Sequence, residues 1–278
     1  IQSKGRLYEE SMALLEEAGI KIPGGKRTLL VPARNFPVEV LFLRDDDIPE
    51  SVASGVADVG IVGLNEVMEK RCPVGILKKL GFGKCRLSLA IPQDIDYQDR
   101  NWFSGKKIAT SYPGILSDYL HKNGIVSDIH VITGSVEIAP GIRLADAIFD
   151  IVSSGSTLVS NRLKEVETVV ESEAVLIGTD SISPEKRGIL DELLFRFDSV
   201  QAADDKKYIL MNVPQKKLND VLSVLPGIKS PTVMPLADKE WCSVHTVLDE
   251  KCFWEIINRL KTAGAEGILV LDIEKMIL

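Results

Sequence analysis

The residues best suited to chemistry in this sequence are Asp150 and the five small residues that follow it at positions 153–157. Those five, which we call the serine loop, are Ser153, Ser154, Gly155, Ser156 and Thr157. They lie between a predicted strand at 145–152 and a helix predicted to start within 158–163. Small residues at such a junction let backbone N–H groups converge on an anion, which the helix dipole also favours. The serine loop is therefore a candidate anion site.

An acid followed by such a loop suits a ribose 5-phosphate. Asp150 would accept hydrogen bonds from ribose hydroxyls, while the serine loop would take the phosphate. The alternative is a serine-rich turn in which Asp150 is only a local cap. The loop alone does not decide between these two interpretations.

A second group of polar residues stands near the start of the chain. Ser3, Lys4 and Arg6 flank a tight loop at Gly5, just before a helix predicted at 7–18. An anionic ligand is favoured at a helix N-terminus. The alternative is a solvated basic turn.

Three consecutive aspartates form a third candidate. Asp47 is followed three residues later by Glu50, a pattern that predicts a capped helix start without any chemistry. Asp45 and Asp46 are not explained in this way, because adjacent like charges are costly unless a cation or Arg44 compensates them. Metal coordination at this cluster has little support from the sequence.

The surrounding elements alternate between strand and helix, which indicates parallel sheets with ligands at the carboxyl ends of the strands. Thr110, Ser111, Glu137 and the serine loop all fall at such ends. Two short similar units, at 57–63 and 145–152, suggest two α/β lobes facing one another. Strands in this part of the chain are predicted at 28–31, 38–44, 57–63, 75–80, 85–91, within 105–113, at 128–133 and at 145–152, and residues 166–177 are expected to return the chain toward the first lobe.

We therefore expect an α/β protein with two lobes and a separate C-terminal unit. Residues 1–91 and 178–203 would form the first lobe, and 92–177 the second lobe with the serine loop. The strands and helices predicted for residues 204–278 follow the order β-α-β-β-α-β, which is that of the ferredoxin-like fold. That unit contains no acid–base pair and no Gly-rich phosphate loop, so binding or assembly suits it better than catalysis.

Composition excludes some classes of function. The net charge of −7 argues against a nucleic-acid surface, and no apolar run approaches transmembrane length. The four cysteines include no CxxC pair, which favours reduced thiols in a cytosolic protein over a zinc site. His121, His130 and His245 show no ligand spacing. Because the chain opens at Ile1, in what reads as the end of a strand, we expect residues to be missing before it.

Residues 137–158, EIAPGIRLADAIFDIVSSGSTL, resemble the signature of the ATP phosphoribosyltransferase family, which catalyses the first step of histidine biosynthesis. Residues 2–7, 44–49, 58–63, 85–90 and 107–113 support the resemblance, which covers essentially the whole chain. The C-terminal unit resembles the regulatory domain of the long form. One departure is Arg143, which stands where the family pattern usually has glycine.

The resemblance implies a reaction. N1 of the adenine of ATP would join C1 of the ribose of phosphoribosyl pyrophosphate (PRPP), with release of pyrophosphate. It also implies two lobes like those of type II periplasmic binding proteins, use of Mg2+, a cytoplasmic location, dimers or hexamers, and inhibition by histidine. No nucleic-acid or membrane partner is implied.

The resemblance also implies roles for residues. The serine loop would hold the 5-phosphate, with Asp150 and Glu137 near the ribose hydroxyls. Lys4, Arg6, Glu137 and Asp150 are the candidate catalytic residues, whereas the Mg2+ ligands stay unassigned. The residues that would contact ATP and the pyrophosphate group are Ser3, Lys4, Gly5, Arg6, Arg86, Thr110 and Ser111.

For the effector histidine, the resemblance points to Ile228 and Thr232. The alternative is a strand-entry turn held by Pro231.

Two other functions fit part of the sequence. A non-catalytic solute-binding protein uses the same two-lobed architecture, and fold does not fix function. The phosphate-type loop and the added C-terminal unit both count against it. A ligand-sensing regulator is the other alternative, but the sequence shows no helix-turn-helix and no basic DNA-binding segment.

Overall fold

A computed structural model describes residues 1–23, 29–226 and 231–277 of this chain. The chain forms two compact units, the first comprising residues 1–16 and 20–190 and the second comprising residues 17–19 and 191–278. No helix in the described ranges is long and apolar enough to cross a membrane. The predicted strand start at Thr28 lies outside the described residues.

The first unit alternates short helices and strands. In chain order its elements are α1 (Arg6–Glu17), β1 (Leu30–Pro32), β2 (Glu39–Leu41), α2 (Ile48–Ala53), β3 (Val59–Gly63), α3 (Leu64–Lys70), β4 (Gly75–Lys79), β5 (Cys85–Pro92), β6 (Lys107–Thr110), α4 (Pro113–Lys122), β7 (Asp128–Val131), β8 (Ala147–Val152), α5 (Ser156–Ser160), β9 (Leu163–Ser172), β10 (Ala174–Gly178) and the start of α6 (Pro184–Ala203).

The larger sheet of this unit has five strands in the order β7-β6-β8-β5-β9. β6 runs parallel to β7 and β8, whereas β5 is antiparallel to both β8 and β9. Apolar side chains are buried on both faces, with Leu89 and Phe149 in one core cluster and Ala90 and Ile148 in another. Near-continuous apolar strands are expected for a sheet that is covered on both sides.

The smaller sheet has the order β3-β10-β4, and β1 pairs with β2 in a separate ribbon. Both pairings in the smaller sheet are antiparallel. Gln2 forms one parallel bridge with Leu43, in keeping with the strand end predicted at the start of the chain.

The position of strand β5 differs from the predicted division of the chain into lobes. Residues 85–91 were predicted to belong to the first lobe, but β5 lies inside the larger sheet between β8 and β9. Residues 166–177, which were expected to return the chain toward the first lobe, are divided between β9 in the larger sheet and β10 in the smaller sheet. An apolar run predicts a buried strand but does not specify its partner.

The helix start predicted at Asp47 is confirmed, since α2 begins at Ile48, but the side-chain cap expected from Asp47 is absent. Residues Asp45–Asp47 form a short 3-10 turn leading into α2, and Asp47 makes no side-chain capping bond. Its φ of −91° and ψ of −16° are already helical, whereas a capping residue normally has extended backbone.

The second unit contains the remainder of α6 followed by β11 (Lys206–Pro214), α7 (Leu218–Val224), β12 (Thr232–Pro235), β13 (Trp241–Asp249), α8 (Glu250–Ala263) and β14 (Glu266–Asp272). Its sheet is antiparallel with the order β12-β13-β11-β14. Ile209, Met211 and Val244 pack with Phe253 and Leu260 in its core. The predicted class, two α/β lobes followed by a ferredoxin-like domain, is confirmed.

Candidate functional site

The serine loop joins β8 to the single-turn helix α5, which begins two residues before the predicted start. Gly155 has a φ of +80°, and a Cβ added there would meet no protein atom within 4 Å. The hydroxyls of Ser154 and Ser156 lie 3.0 Å apart. Because the first N–H groups of a helix lack intrahelical partners, this junction offers hydrogen-bond donors to an anion.

Two arginines from distant parts of the chain converge on Ser153. Arg6 Nη1 donates to Ser153 Oγ at 3.1 Å, and Arg86 Nη1 donates to the Ser153 carbonyl at 3.1 Å. Arg6 stands at the start of α1 and Arg86 near the start of β5. The structure therefore places two guanidinium groups against the serine loop, and each is also paired with a carboxylate, Arg6 with Glu10 and Arg86 with Glu165.

Asp150 lies on β8 directly opposite Ser88 of β5. Burial raises the pKa of Asp150 to about 6, and the nearby charge of Glu137 adds to this effect. Glu137 sits on the 3-10 turn Val136–Ile138, near enough for its charge to act on Asp150. Partly buried carboxylates of this kind are suited to accept hydrogen bonds from a neutral polyol such as ribose.

Glu165 on β9 belongs to the same site, and the sequence analysis did not identify it. Arg86 donates to both of its carboxylate oxygens, from Nε at 2.6 Å and from Nη2 at 2.5 Å. These two residues are separated by 79 positions. No local sequence pattern could have paired them.

Thr110 and Ser111 already have partners inside the protein. Thr110 is fully buried, and its hydroxyl accepts a hydrogen bond from the Tyr112 N–H at 2.8 Å. Ser111 Oγ donates to the Ile132 carbonyl at 2.8 Å. In this conformation both hydroxyls support the turn from β6 into α4, which counts against their predicted contact with ATP.

Ser3, Lys4 and Gly5 are exposed just before α1. The Ser3 N–H donates to the Leu43 carbonyl at 2.8 Å, and Gly5 has a φ of +90°. These residues thus precede the same helix that carries Arg6. Their contact with ATP or pyrophosphate stays a prediction.

The acidic cluster at Asp45–Asp47 is balanced by basic side chains. Arg44 Nε lies 3.1 Å from Asp46 Oδ1, and Lys70 Nζ lies 3.7 Å from Asp46 Oδ2. Among the described residues, no group of three or more His, Cys, Asp or Glu side chains could hold a metal ion. Arg44 therefore compensates part of the negative charge of this cluster, as the sequence had allowed.

A buried polar network joins α3 to the start of α4 and the end of β9. Tyr112 Oη donates to Glu66 Oε1 at 2.8 Å, Asn65 Nδ2 donates to the same oxygen at 3.0 Å, and Ser172 Oγ donates to Asn65 Oδ1 at 2.8 Å. Burial raises the pKa of Glu66. This network ties the smaller sheet's helix α3 to the larger sheet that carries Asp150.

Arg143, at the position where the family pattern usually has glycine, adopts a φ of +59°. Its N–H donates to the Pro140 carbonyl at 3.0 Å. The turn between Glu137 and β8 therefore keeps the left-handed conformation that glycine would adopt freely, at a cost of roughly 1–2 kcal/mol for an L-residue.

In the second unit, Thr232 opens β12 as an exposed residue opposite His245 of β13. Both ring nitrogens of His245 have partners, since Nδ1 lies 2.7 Å from Tyr208 Oη and Nε2 lies 2.9 Å from Ser243 Oγ. Ile228, the other predicted effector residue, lies outside the described residues.

Comparison with known proteins gives consistent matches along the chain. The sequence model described as ATP phosphoribosyltransferase matches residues 44–199, and the model described as HisG, C-terminal domain matches residues 203–275. A curated ATP phosphoribosyltransferase of Bacteroides fragilis is 70% identical over 278 residues, covering 100% of this chain and 98% of that protein. One from Cytophaga hutchinsonii is 57% identical over 277 residues, covering 100% of this chain and 97% of that protein.

A solved structure shares the fold. The ATP phosphoribosyl transferase (HisG:HisZ) complex from Thermotoga maritima matches with a TM-score of 0.60 and 26% identity. The match covers 70% of this chain and 95% of that chain.

Proposed function

This chain belongs to the ATP phosphoribosyltransferase family, and we propose that its serine loop holds the 5-phosphate of PRPP. The enzyme is a transferase of histidine biosynthesis that joins ATP to PRPP and releases pyrophosphate. The observation that carries the site assignment is the convergence of Arg6 and Arg86 on Ser153. A non-catalytic solute-binding role is not favoured, because the family models match both the two lobes and the C-terminal unit.

Asp150 and Glu137 would hold the ribose of PRPP. The charge of Glu137 acts on Asp150, which precedes the serine loop on β8, and this supports a role for both carboxylates in accepting hydrogen bonds from the ribose hydroxyls. As pyrophosphate leaves, positive charge develops on the ribose, and a nearby carboxylate stabilises that charge. Adenine N1 is already a nucleophile, so alignment of the two substrates matters more than a general base.

Lys4 would face the pyrophosphate at the other side of the ribose, whereas Arg6, which contacts Ser153, would add positive charge beside the 5-phosphate. Lys4 stands just before α1, where the helix dipole also favours an anion. A fixed positive charge there stabilises the departing pyrophosphate more than it stabilises the bound substrate.

We propose that Mg2+ is the cofactor and that it arrives with PRPP. The described residues offer no cluster of three or more metal-ligating side chains, so they do not form a resident metal site. Mg2+ retains water readily and is often bound through substrate phosphates, so we place it on the diphosphate and water. It would neutralise charge on the leaving group.

We propose that the second unit binds histidine and carries feedback inhibition. Thr232 is exposed at the start of β12, beside the hydrogen-bonded group of Tyr208, His245 and Ser243. These groups include hydroxyls that suit the amino and carboxylate groups of an amino acid. They form the described part of the candidate effector site, and Ile228 lies outside the described residues.

We also propose assembly into a dimer or hexamer. Exposed apolar side chains lie on both edge strands of the second unit's sheet, with Met234 on β12 and Leu269 on β14. Exposed apolar surface of this kind marks interaction sites.

All four cysteines are free thiols, which supports a cytoplasmic location for the protein.

An assay of pyrophosphate release from ATP and PRPP tests the proposal. Wild-type protein should need both substrates, and Thr157→Ala should raise the KM for PRPP about tenfold, since a hydrogen bond to a charged group contributes roughly 1.5–3 kcal/mol. Ser160→Ala at the other end of α5 is the control and should leave that KM unchanged. An unaltered KM in Thr157→Ala, together with an unaltered Kd for PRPP, would contradict the role of the loop.

A further inference from the structure

The Glu165 carboxylate accepts four hydrogen bonds in a partly buried position. Two come from Arg86, a third comes from Ser88 Oγ at 2.7 Å, and a fourth comes from Thr168 Oγ1 at 3.1 Å. Ser88 is fully buried. Hydrogen bonds from Arg86, and then those from Ser88 and Thr168, lower the pKa of Glu165 to about 2. The carboxylate is therefore charged and held in one orientation.

This arrangement fixes the plane of the Arg86 guanidinium. A bidentate pair uses Nε and Nη2, which leaves Nη1 to donate to the Ser153 carbonyl. Because a trans peptide is planar, the N–H of Ser154 points opposite to that carbonyl and hence away from Arg86. Arg6 holds the hydroxyl of the same serine. The orientation of the first peptide of the serine loop thus depends on Arg86.

We propose that Glu165 is a positioning residue for PRPP, acting through Arg86 without touching the substrate. By holding Arg86 against the Ser153 carbonyl, it keeps the Ser154 N–H directed at the 5-phosphate. This inference rests on the proposed role of the serine loop in binding that phosphate.

A different role for Arg86 predicts the opposite result. If Arg86 bound a substrate anion directly, Glu165 would only neutralise its charge, and removing that carboxylate would leave anion binding unchanged or strengthen it. If Glu165 positions Arg86, removing the charge weakens PRPP binding. The sign of the change therefore separates the two roles.

The test is Glu165→Gln, measured by calorimetric titration with PRPP and by steady-state kinetics. Glutamine keeps the size of the side chain but has only one acceptor oxygen, so it cannot accept the bidentate pair. We expect the Kd and KM for PRPP to rise about tenfold, the size of one charge-assisted hydrogen bond, with the KM for ATP unchanged. Thr168→Ala, which removes one supporting donor, should give a smaller rise in the same direction.

Glu167→Gln is the matched control. Glu167 lies on the same strand and accepts hydrogen bonds from Tyr97 at 2.8 Å and Tyr119 at 3.4 Å. Its variant should lower the Tm without changing the Kd for PRPP. A role of Glu165 in stability alone would make the two variants behave alike.

A double-mutant cycle with Arg86→Lys completes the test, because lysine cannot form the bidentate pair. If the two residues act as one unit, the double variant should bind PRPP about as weakly as Arg86→Lys alone. Additive losses, or wild-type PRPP affinity in Glu165→Gln, would overturn the inference. If Thr157→Ala still weakens PRPP binding, only the role of Glu165 fails; if it does not, the phosphate site itself fails.

Discussion

At the scale of single residues, Asp150 links substrate binding to folding stability. Its folded pKa of about 6 lies above its ordinary value of 3.8. The folded protein therefore binds the proton more tightly than the unfolded chain does. A group shifted in this direction favours folding when it is protonated, and that contribution is lost as the pH rises through 6. At neutral pH, charged Asp150 thus costs folding free energy.

We therefore expect Asp150→Asn to stabilise the fold at pH 7.5 while it weakens PRPP binding about tenfold. The stabilisation should be on the order of 1–3 kcal/mol, shrink as the pH falls below 6, and vanish below the unfolded pKa of 3.8. Melting curves across pH and PRPP titrations on the same samples measure both effects. Asp94→Asn, on an exposed loop, is the control. Lower stability with normal PRPP affinity would show that Asp150 is only a local cap.

Arg143 shows how a single residue can depart from a pattern without changing the backbone. Its φ of +59° and its hydrogen bond to Pro140 preserve the turn that precedes β8. The sequence could identify the departure, because the family pattern has glycine there. It could not show that the turn would keep its conformation, since that depends on the packing around it.

At the scale of elements, local patterns identified the serine loop, α1 and the β-α-β-β-α-β unit. Each is encoded within a short stretch by apolar periodicity and by small residues at turns. The assignment of β5 to the wrong sheet has a different origin, because its residues pair with residues of β8 and β9 that are 58 or more positions away.

The same limit applies to the candidate site. Asp150, Glu137 and the serine loop are close in sequence and were found together. The pair of Arg86 and Glu165 and the network around Glu66 join residues separated by 79 and 46 positions. The fold buries both Tyr112 and Glu66, and no local sequence pattern had singled out either residue.

At the scale of the whole molecule, one unit carries the substrate loops and the other carries the candidate effector site. The second half of α6 belongs to the second unit, so a chain cut near Asp204 would remove only part of that unit. Point variants are therefore a cleaner test of regulation than truncation. Coupling requires histidine to prefer one of two states, and typical couplings are about 1–3 kcal/mol.

We expect histidine to bind the intact protein and to inhibit pyrophosphate release. Thr232→Ala should raise the histidine concentration needed for half-inhibition about tenfold, because it removes a hydroxyl donor to a charged ligand. Thr262→Ala, whose hydroxyl bonds within α8, is the control and should behave like wild type. Calorimetry without detectable histidine binding would remove the regulatory assignment and leave the transferase activity untouched.

The most direct test of the phosphate site compares PRPP affinity in Gly155→Ala and Gly124→Ala. Both glycines have positive φ, +80° and +67°, and an added Cβ meets no protein atom within 4 Å at either position. Both variants should therefore lose similar stability, roughly 1–2 kcal/mol. Only Gly155 lies where we place the 5-phosphate, so Gly155→Ala should raise the Kd for PRPP at least about tenfold while Gly124→Ala leaves it unchanged. Equal PRPP affinity in the two variants would contradict the assignment of the serine loop.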